Sequence, residues 1–336
     1  MHQISNSFRR NIVESRFAPI IFAIIAMAMR LALFLSVGIQ PQEYPTSLAW
    51  HVMSPLFSND WISLGASTAS IFLIAFLFSN LNQGYTLTRF RTSLPFVLIL
   101  FVLSIHPHFL AMSPNYLSVI LLLVAISPLL ESYQRSSPRN FAFNAGVLIA
   151  LSGTFQVLAL ALLPLWWYGE TSMHGFRIKS FLALLLGVLL VLWNVAGFYF
   201  LFDSLQNFLT PFTHFNSINF SVPHYHLITW VIIGLLSLLV IIIVVMDIQI
   251  FQRERVLTQK TLSFIILIAF FSTILHLLYW HQTFFFMQLT IIMLTFIVAH
   301  YFSYTKTKGI IYLFLTFFSG LSLIFIYHLI GKPLLF

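Results

Sequence analysis

Apolar runs of about twenty residues alternate along this chain with short polar gaps, and each long run can cross a hydrocarbon core of roughly 30 Å as a helix. The pattern predicts spans at 17–39, 61–79, from about 94 to the gap at His106-Pro107-His108, and at 115–130, 180–201, 227–246, 261–280, 283–300 and 309–330. A semi-apolar piece at 46–57 is too short to cross and is expected to lie along an interface or dip back into the bilayer. Residues 1–16 place Ile4, Phe8 and Ile12 opposite Arg9, Arg10 and Arg16, the pattern of a short helix lying in the interface.

The gaps differ in charge. Fourteen of the sixteen Lys and Arg residues fall in alternate gaps, which places those gaps in the cytoplasm, the N-terminus inside and the C-terminus outside. The run 141–168 departs from the alternation, because basic residues flank it on both sides: Arg135 and Arg139 before, Arg177 and Lys179 after. A hairpin of two short helices turning near Ser152-Gly153-Thr154 satisfies this charge pattern; one long tilted helix is the alternative. The sum is nine full spans and two arms, about eleven membrane segments in an all-α polytopic bundle. No gap has room for a separate soluble unit, so 1–336 reads as one integral membrane domain.

Composition agrees with the pattern: 60% of residues are hydrophobic and 7% charged, outside the range of a water-soluble globule. The net charge of +8 sits in pairs at the ends of apolar runs, which fits anionic lipid headgroups as partners rather than nucleic acid. There is no cysteine, so disulfides and thiolate chemistry are excluded. No small-x-small cleavage site follows the first run, which is expected to stay as an anchor.

Arg30 lies well inside the first span, where an unpaired guanidinium costs about 2.5 to 3.5 kcal/mol on insertion scales. It calls for an anionic partner, for which Glu43, Asp203 or a bound phosphate or carboxylate would serve. Glu43, Asp60 and Asp203 all fall in gaps on the outer side, where a carboxylate could act as general base or hold a divalent metal. For Asp60, in the turn Ser58-Asn59-Asp60, helix N-capping is the competing role. Histidines also concentrate outside, and the His-x-His pairs 106/108 and 224/226 could ligate a metal, although interfacial hydrogen bonding is the commoner use. The sequence contains no Gly-rich phosphate loop, Gly-x-Ser-x-Gly elbow, His-Glu-x-x-His helix or Asp-x-Asp pair. Trp166, Trp167, Tyr168 and Trp280 read as interfacial belt anchors, and Asn144, Gln156 and Asn194 as interhelical hydrogen-bonding groups.

The middle of the chain, from about Leu81 to Phe208, resembles an uncharacterised family of bacterial multi-span inner-membrane proteins. The resemblance rests on the Leu-Thr-Arg-Phe gap at 87–90, the Asn144-Ala-Gly start, the Arg177 gap, Gly187 and Asp203. It implies a multi-pass protein of the inner (plasma) membrane. The layout also resembles membrane glycosyltransferases of the polyprenyl-phosphate-sugar class (GT-C type), with an acidic first outer loop and paired short helices. That resemblance implies a first-loop carboxylate, here Glu43 or Asp60, as base or metal ligand, and a polyprenyl-phosphate-linked substrate. The chain departs from the class in having a lone Glu43 rather than paired acids and in lacking a soluble C-terminal domain.

Three readings result. The first is a glycosyl or related group transferase with a lipid-linked donor and an outer-side active site. In it Glu43 is the base or metal ligand, Arg30 the phosphate anchor, and Asp203 with His224 or His226 auxiliary. The second is a His-ligated metal enzyme of the membrane. The third is a non-catalytic carrier or a subunit of an envelope complex.

Overall fold

Hydrocarbon offers no partner to a backbone N–H or C=O, so a chain this apolar closes its hydrogen bonds within helices. The structure, a computed structural model, describes residues 15, 17–40, 44–88, 92–135, 137–218, 227–304 and 308–330. Among the described residues every regular element is helical: α1 (Ala18–Val37), α2 (Trp50–Met53), α3 (Asp60–Gly84), α4 (Leu94–Leu103), α5 (Pro114–Glu131), α6 (Arg139–Phe155), α7 (Leu163–His174), α8 (Ile178–Leu201), α9 (Leu205–Thr213), α10 (Leu227–Phe251), α11 (Val256–Tyr279), α12 (Phe285–Ser303) and α13 (Lys308–Leu329). Eight of these, α1, α3, α5, α8 and α10 to α13, are long and apolar enough to cross a membrane. The chain is thus a multi-pass helical bundle. The interfacial segment expected before residue 17, together with Arg89, Arg91 and Lys306, lies outside the described residues.

Local chemistry sets the helix ends. Proline, whose missing N–H costs nothing in a first turn, opens α1, α4, α5 and α7. Asn59, and not Asp60, caps α3: its side chain accepts a hydrogen bond from the Trp61 backbone N–H at 2.9 Å. Asp60 is the first residue of that helix, exposed, where an acid complements the helix dipole.

The 141–168 region is a broken hairpin. The break comes at Gln156, whose extended backbone (φ −146°, ψ 99°) ends α6, while Ser152-Gly153-Thr154 stay helical. A 3-10 run, Val157–Leu162, then leads into α7. The backbone groups freed at the break are taken up by the segment after α1. Leu48 and Ala49 N–H donate to the Thr154 carbonyl, each at 3.0 Å, and Val157 N–H donates to Thr46 O at 2.9 Å. At the far ends of the arms, Arg177 Nη1 donates to Arg135 O at 3.5 Å, and Lys260 Nζ donates to Ser172 O. Basic connectors at 135, 177 and 260 therefore meet at one end of the bundle, and the hairpin tip lies toward the other.

The third expected span is different. α4 has only ten residues, about 15 Å of helix, and stops short of a full crossing. The chain from Ser104 to Ser113, expected to be an outer gap, is largely buried inside the bundle, including His106, Phe109 and Leu110.

α12 is the central pillar, with 83% of its span buried, whereas α10 is peripheral, with 11%. α6 and α8 approach most closely at Gly146 and Gly187. A Cβ on Gly146 would lie 2.2 Å from the Leu184 carbonyl oxygen, and one on Gly187 2.4 Å from that of Phe143. Trp166, expected at the interface, is fully buried: Nε1 donates to Ala125 O at 3.2 Å and the ring packs edge-on to Phe264. Its neighbours Trp167 and Tyr168 are exposed, as belt residues would be.

Candidate functional site

Two interrupted segments, α4 to α5 and α6 to α7, meet near the hairpin tip, and the polar groups they free form a buried centre. In the first, the short 3-10 turn Pro107–Phe109 leaves the Phe109 and Leu110 carbonyls without a helical donor at a depth where unmet groups are costly. Arg30, only 2% exposed, answers them. Its Nη2 donates to Phe109 O at 2.9 Å, to Ser67 Oγ at 2.5 Å and, more weakly, to Leu110 O at 3.5 Å, while Nε donates to Thr68 Oγ1 at 2.8 Å. The Tyr116 hydroxyl donates to the same Phe109 oxygen at 2.6 Å. The expected anionic partner is replaced by neutral acceptors. Neither ion pair found among the described residues includes Arg30, and its Nη1 has no hydrogen-bond partner.

The second segment supplies Gln156. Its Nε2 donates to Asn115 Oδ1 at 3.4 Å and to Thr283 Oγ1, joining the hairpin tip to α5 and to the turn before α12. Ser118 and Ser152 share a hydrogen bond of 2.6 Å one turn further in. Of the amides expected to bridge helices, Gln156 does so, whereas Asn194 donates to Leu190 O within its own helix. Tyr44 borders this centre. Its ring stands 5.9 Å from Trp50, and burial, with Tyr116 beside it, raises its phenol above the usual range.

The other residues singled out in the sequence are dispersed. Glu43, His224 and His226 lie outside the described residues. Asp203 is exposed just past α8 with φ 50° and takes no part in the hydrogen bonds around Arg30. With Asp60 also exposed, the described carboxylates do not gather into a divalent-cation site. His106 and His108 are close, with ring centroids 6.2 Å apart, but His106 Nδ1 accepts the His108 backbone N–H at 3.1 Å and so caps the 3-10 turn. His328 packs on His106 at 4.6 Å and Phe284 on His108 at 3.8 Å. Burial lowers the pKa of both, that of His108 to about 3 and that of His106 well below the usual imidazole range, where His328 and His108 add to the effect. Among the described residues no group of three or more His, Asp or Glu is arranged to hold a metal.

A second polar cluster, at the opposite end, was not foreseen. Asp247 Oδ1 and His300 Nδ1 are 2.7 Å apart, with both side chains fully buried between α10 and α12. Asp247 Oδ2 and His300 Nε2 have no hydrogen-bond partner. A cavity of about 460 Å³ opens beside them, lined by Met246, Gln249, Arg253, Glu254, Tyr301 and Tyr304 among others. The Tyr304 hydroxyl donates to Glu254, and its ring lies 5.5 Å from that of His300. On α7, Glu170 pairs with His174 at 2.5 Å, the i,i+4 spacing of one helical turn. The sequence signal for the first pair is a lone acid inside an apolar run, Val-Val-Met-Asp247-Ile, missed because the span was ended at residue 246 while α10 runs on to Phe251.

No protein-family model matches the chain, and neither a curated protein nor a solved structure is significantly similar to it.

Proposed function

We propose that the chain is a group transferase of the inner (plasma) membrane that engages a lipid-linked, phosphate-bearing donor at the end of the bundle holding Arg30, taken as the outer side. The observation that carries this reading is a buried guanidinium whose partners are all neutral and whose Nη1 has none. A cation buried among neutral dipoles without a counter-charge attracts an anion strongly, because little solvent screens it. The first turn of α5, at Asn115 and Tyr116, adds the positive end of an 18-residue helix at the same centre. Lipid-borne phosphate is the natural anion at this depth, and a membrane-sited donor explains the absence of a nucleotide-binding loop.

In the transfer step an acceptor hydroxyl attacks the donor's anomeric carbon and gives its proton to a carboxylate. The bond from that carbon to the phosphate oxygen breaks, and the oxygen leaves with the electron pair. Arg30 stabilises the departing phosphate. Glu43 is the proposed base, with Asp203, His224 and His226 auxiliary and Asp60 the other first-loop candidate. The likeness in layout to the polyprenyl-phosphate-sugar class supports this assignment of roles.

The test is native mass spectrometry of the purified protein with polyprenyl phosphate and with the neutral polyprenol. One charge-assisted hydrogen bond is worth about 1.5 to 3 kcal/mol, so wild type should prefer the phosphate by roughly tenfold or more. Arg30→Gln should lose the preference. Equal retention of both lipids by wild type removes the basis of the proposal. Glu43→Gln should keep lipid binding and lose transfer. A second reading, a carrier for an anionic solute, is favoured by the two interrupted segments, which in transporters present half-helix ends to substrate. Binding that depends on Arg30, with transfer indifferent to Glu43, would favour it.

A further inference from the structure

We propose that Asp247 and His300 form a proton-binding site inside the bundle, loaded from water through the cavity beside Tyr304 and Glu254. This goes beyond the transferase reading, since it lies at the opposite end and does not depend on Arg30.

The geometry fixes the chemistry. Three charge states are open to the pair: neutral as carboxylic acid with neutral imidazole or as carboxylate with imidazolium, one negative charge as carboxylate with neutral imidazole, and one positive charge as carboxylic acid with imidazolium. In a fully buried site only the neutral state avoids a large desolvation cost, so any gain or loss of a proton must be matched by a nearby charge or by movement. The surroundings supply one route for both. Of the polar groups lining the neighbouring cavity, α10 contributes Arg253 and Glu254 one to two turns along from Asp247, and α12 contributes Tyr301 and Tyr304. The buried side chains that α4 and α13 contribute to the adjoining core, Leu98 and Phe314 among them, are apolar. The way out therefore runs past Tyr304, whose hydroxyl is bonded to Glu254 at the cavity. Asp247 Oδ2 and His300 Nε2 are both unpartnered, which is what a group that changes protonation state leaves in one of its states.

Purified protein reconstituted in lipid, followed by difference infrared spectroscopy while pH is stepped across the range over which the fold persists, tests this. The expected result is a protonated-carboxyl stretching band, or its mirror in the imidazole bands, that titrates in wild type and is missing in Asp247→Asn. Glu254→Gln leaves the pair in place, so the titrating band should persist, its midpoint displaced by the lost charge, while the response to a pH jump slows by about tenfold or more, the effect of removing a proton relay. A purely structural pair predicts otherwise. If wild type shows no pH-dependent band that Asp247→Asn removes, or if Glu254→Gln responds as fast as wild type, the proposal fails. The Glu254 variant keeps the test decisive should Asp247→Asn not fold.

Discussion

Alanine at Gly187 should loosen the tightest helix pair in the bundle. The Cβ it introduces would stand 2.4 Å from the Phe143 carbonyl oxygen and 2.9 Å from the Val147 amide nitrogen, both backbone atoms that no rotamer change can move. Ordinary contact begins near 3.4 Å, so α8 must withdraw from α6 by about 1 Å. Gly146 makes the reciprocal contact from α6, 2.2 Å from Leu184 O, and the same withdrawal relieves it. Between membrane helices close packing is the main source of association, because lipid tails are as apolar as the side chains they replace. Overpacking of this kind costs about 1 to 3 kcal/mol, and the backbone nature of the obstacle puts Gly187→Ala toward the upper end.

Gly197 is the internal control. It lies on the same α8, and a Cβ there meets nothing within 4 Å. Gly197→Ala should be neutral or stabilising by up to about 1 kcal/mol through helix propensity alone. The measurement is denaturation by SDS in mixed micelles, followed by tryptophan fluorescence. The Gly146→Ala, Gly187→Ala double variant should be less destabilised than the sum of the singles, because one displacement accommodates both methyl groups. Equal stability of Gly187→Ala and Gly197→Ala would refute the reasoning, as would strict additivity of the pair.

Two further outcomes follow from other parts of the bundle. Burial depresses His108 to about 3 in the folded state, against about 6.5 when unfolded, so the unfolded chain binds the extra proton first. Stability from this group is complete above about pH 6.5 and declines as pH falls toward 3, by at most ~1.4 kcal/mol per pH unit; the difference between thermal melts of wild type and His108→Phe should be constant above that interval and change within it. Gln156→Leu removes the tie from the hairpin tip to Asn115 and Thr283 and should destabilise by about 1 to 3 kcal/mol in the same SDS assay, with Gln156→Glu at least as costly because a buried carboxylate can donate to neither partner.

Much of this architecture was legible because lipid is an unforgiving solvent. Apolar length alone locates the eight long helices, with ends five residues off at Gly84, Phe251 and Val256, and basic residues on both flanks of 141–168 point to a hairpin. What escaped the reading was depth. His106 and His108 look like a polar gap, yet the chain there is buried and the imidazoles serve as turn cap and packing surface. Asp247 falls one residue past the expected end of its span at 246, and a histidine 53 residues later lets it stay inside. Arg30 was rightly conspicuous, but its neutral partners come from a carbonyl pair exposed by an early helix end, which no periodicity reports. At the hairpin, extended backbone at Gln156 prevailed over the small residues of Ser152-Gly153-Thr154, because Thr46, Leu48 and Ala49 were there to satisfy it.

The pairing of α10 with α12 also bears on biogenesis. A ribosome delivers Asp247 well before His300, so for that interval the acid must enter the bilayer alone, at about 2.5 to 3.5 kcal/mol. α10 has the highest mean hydropathy of the eight long helices, 3.1, and α12 one of the lowest, 1.8. The first helix is thus apolar enough to insert unaided while carrying its acid. The second, with Gln288, Thr295 and His300 along it, gains its place only once neighbours are present to enclose it. Nascent chains halted before α12 should accordingly expose an unneutralised carboxyl to lipid, a mark by which membrane quality control can tell unfinished copies from finished ones.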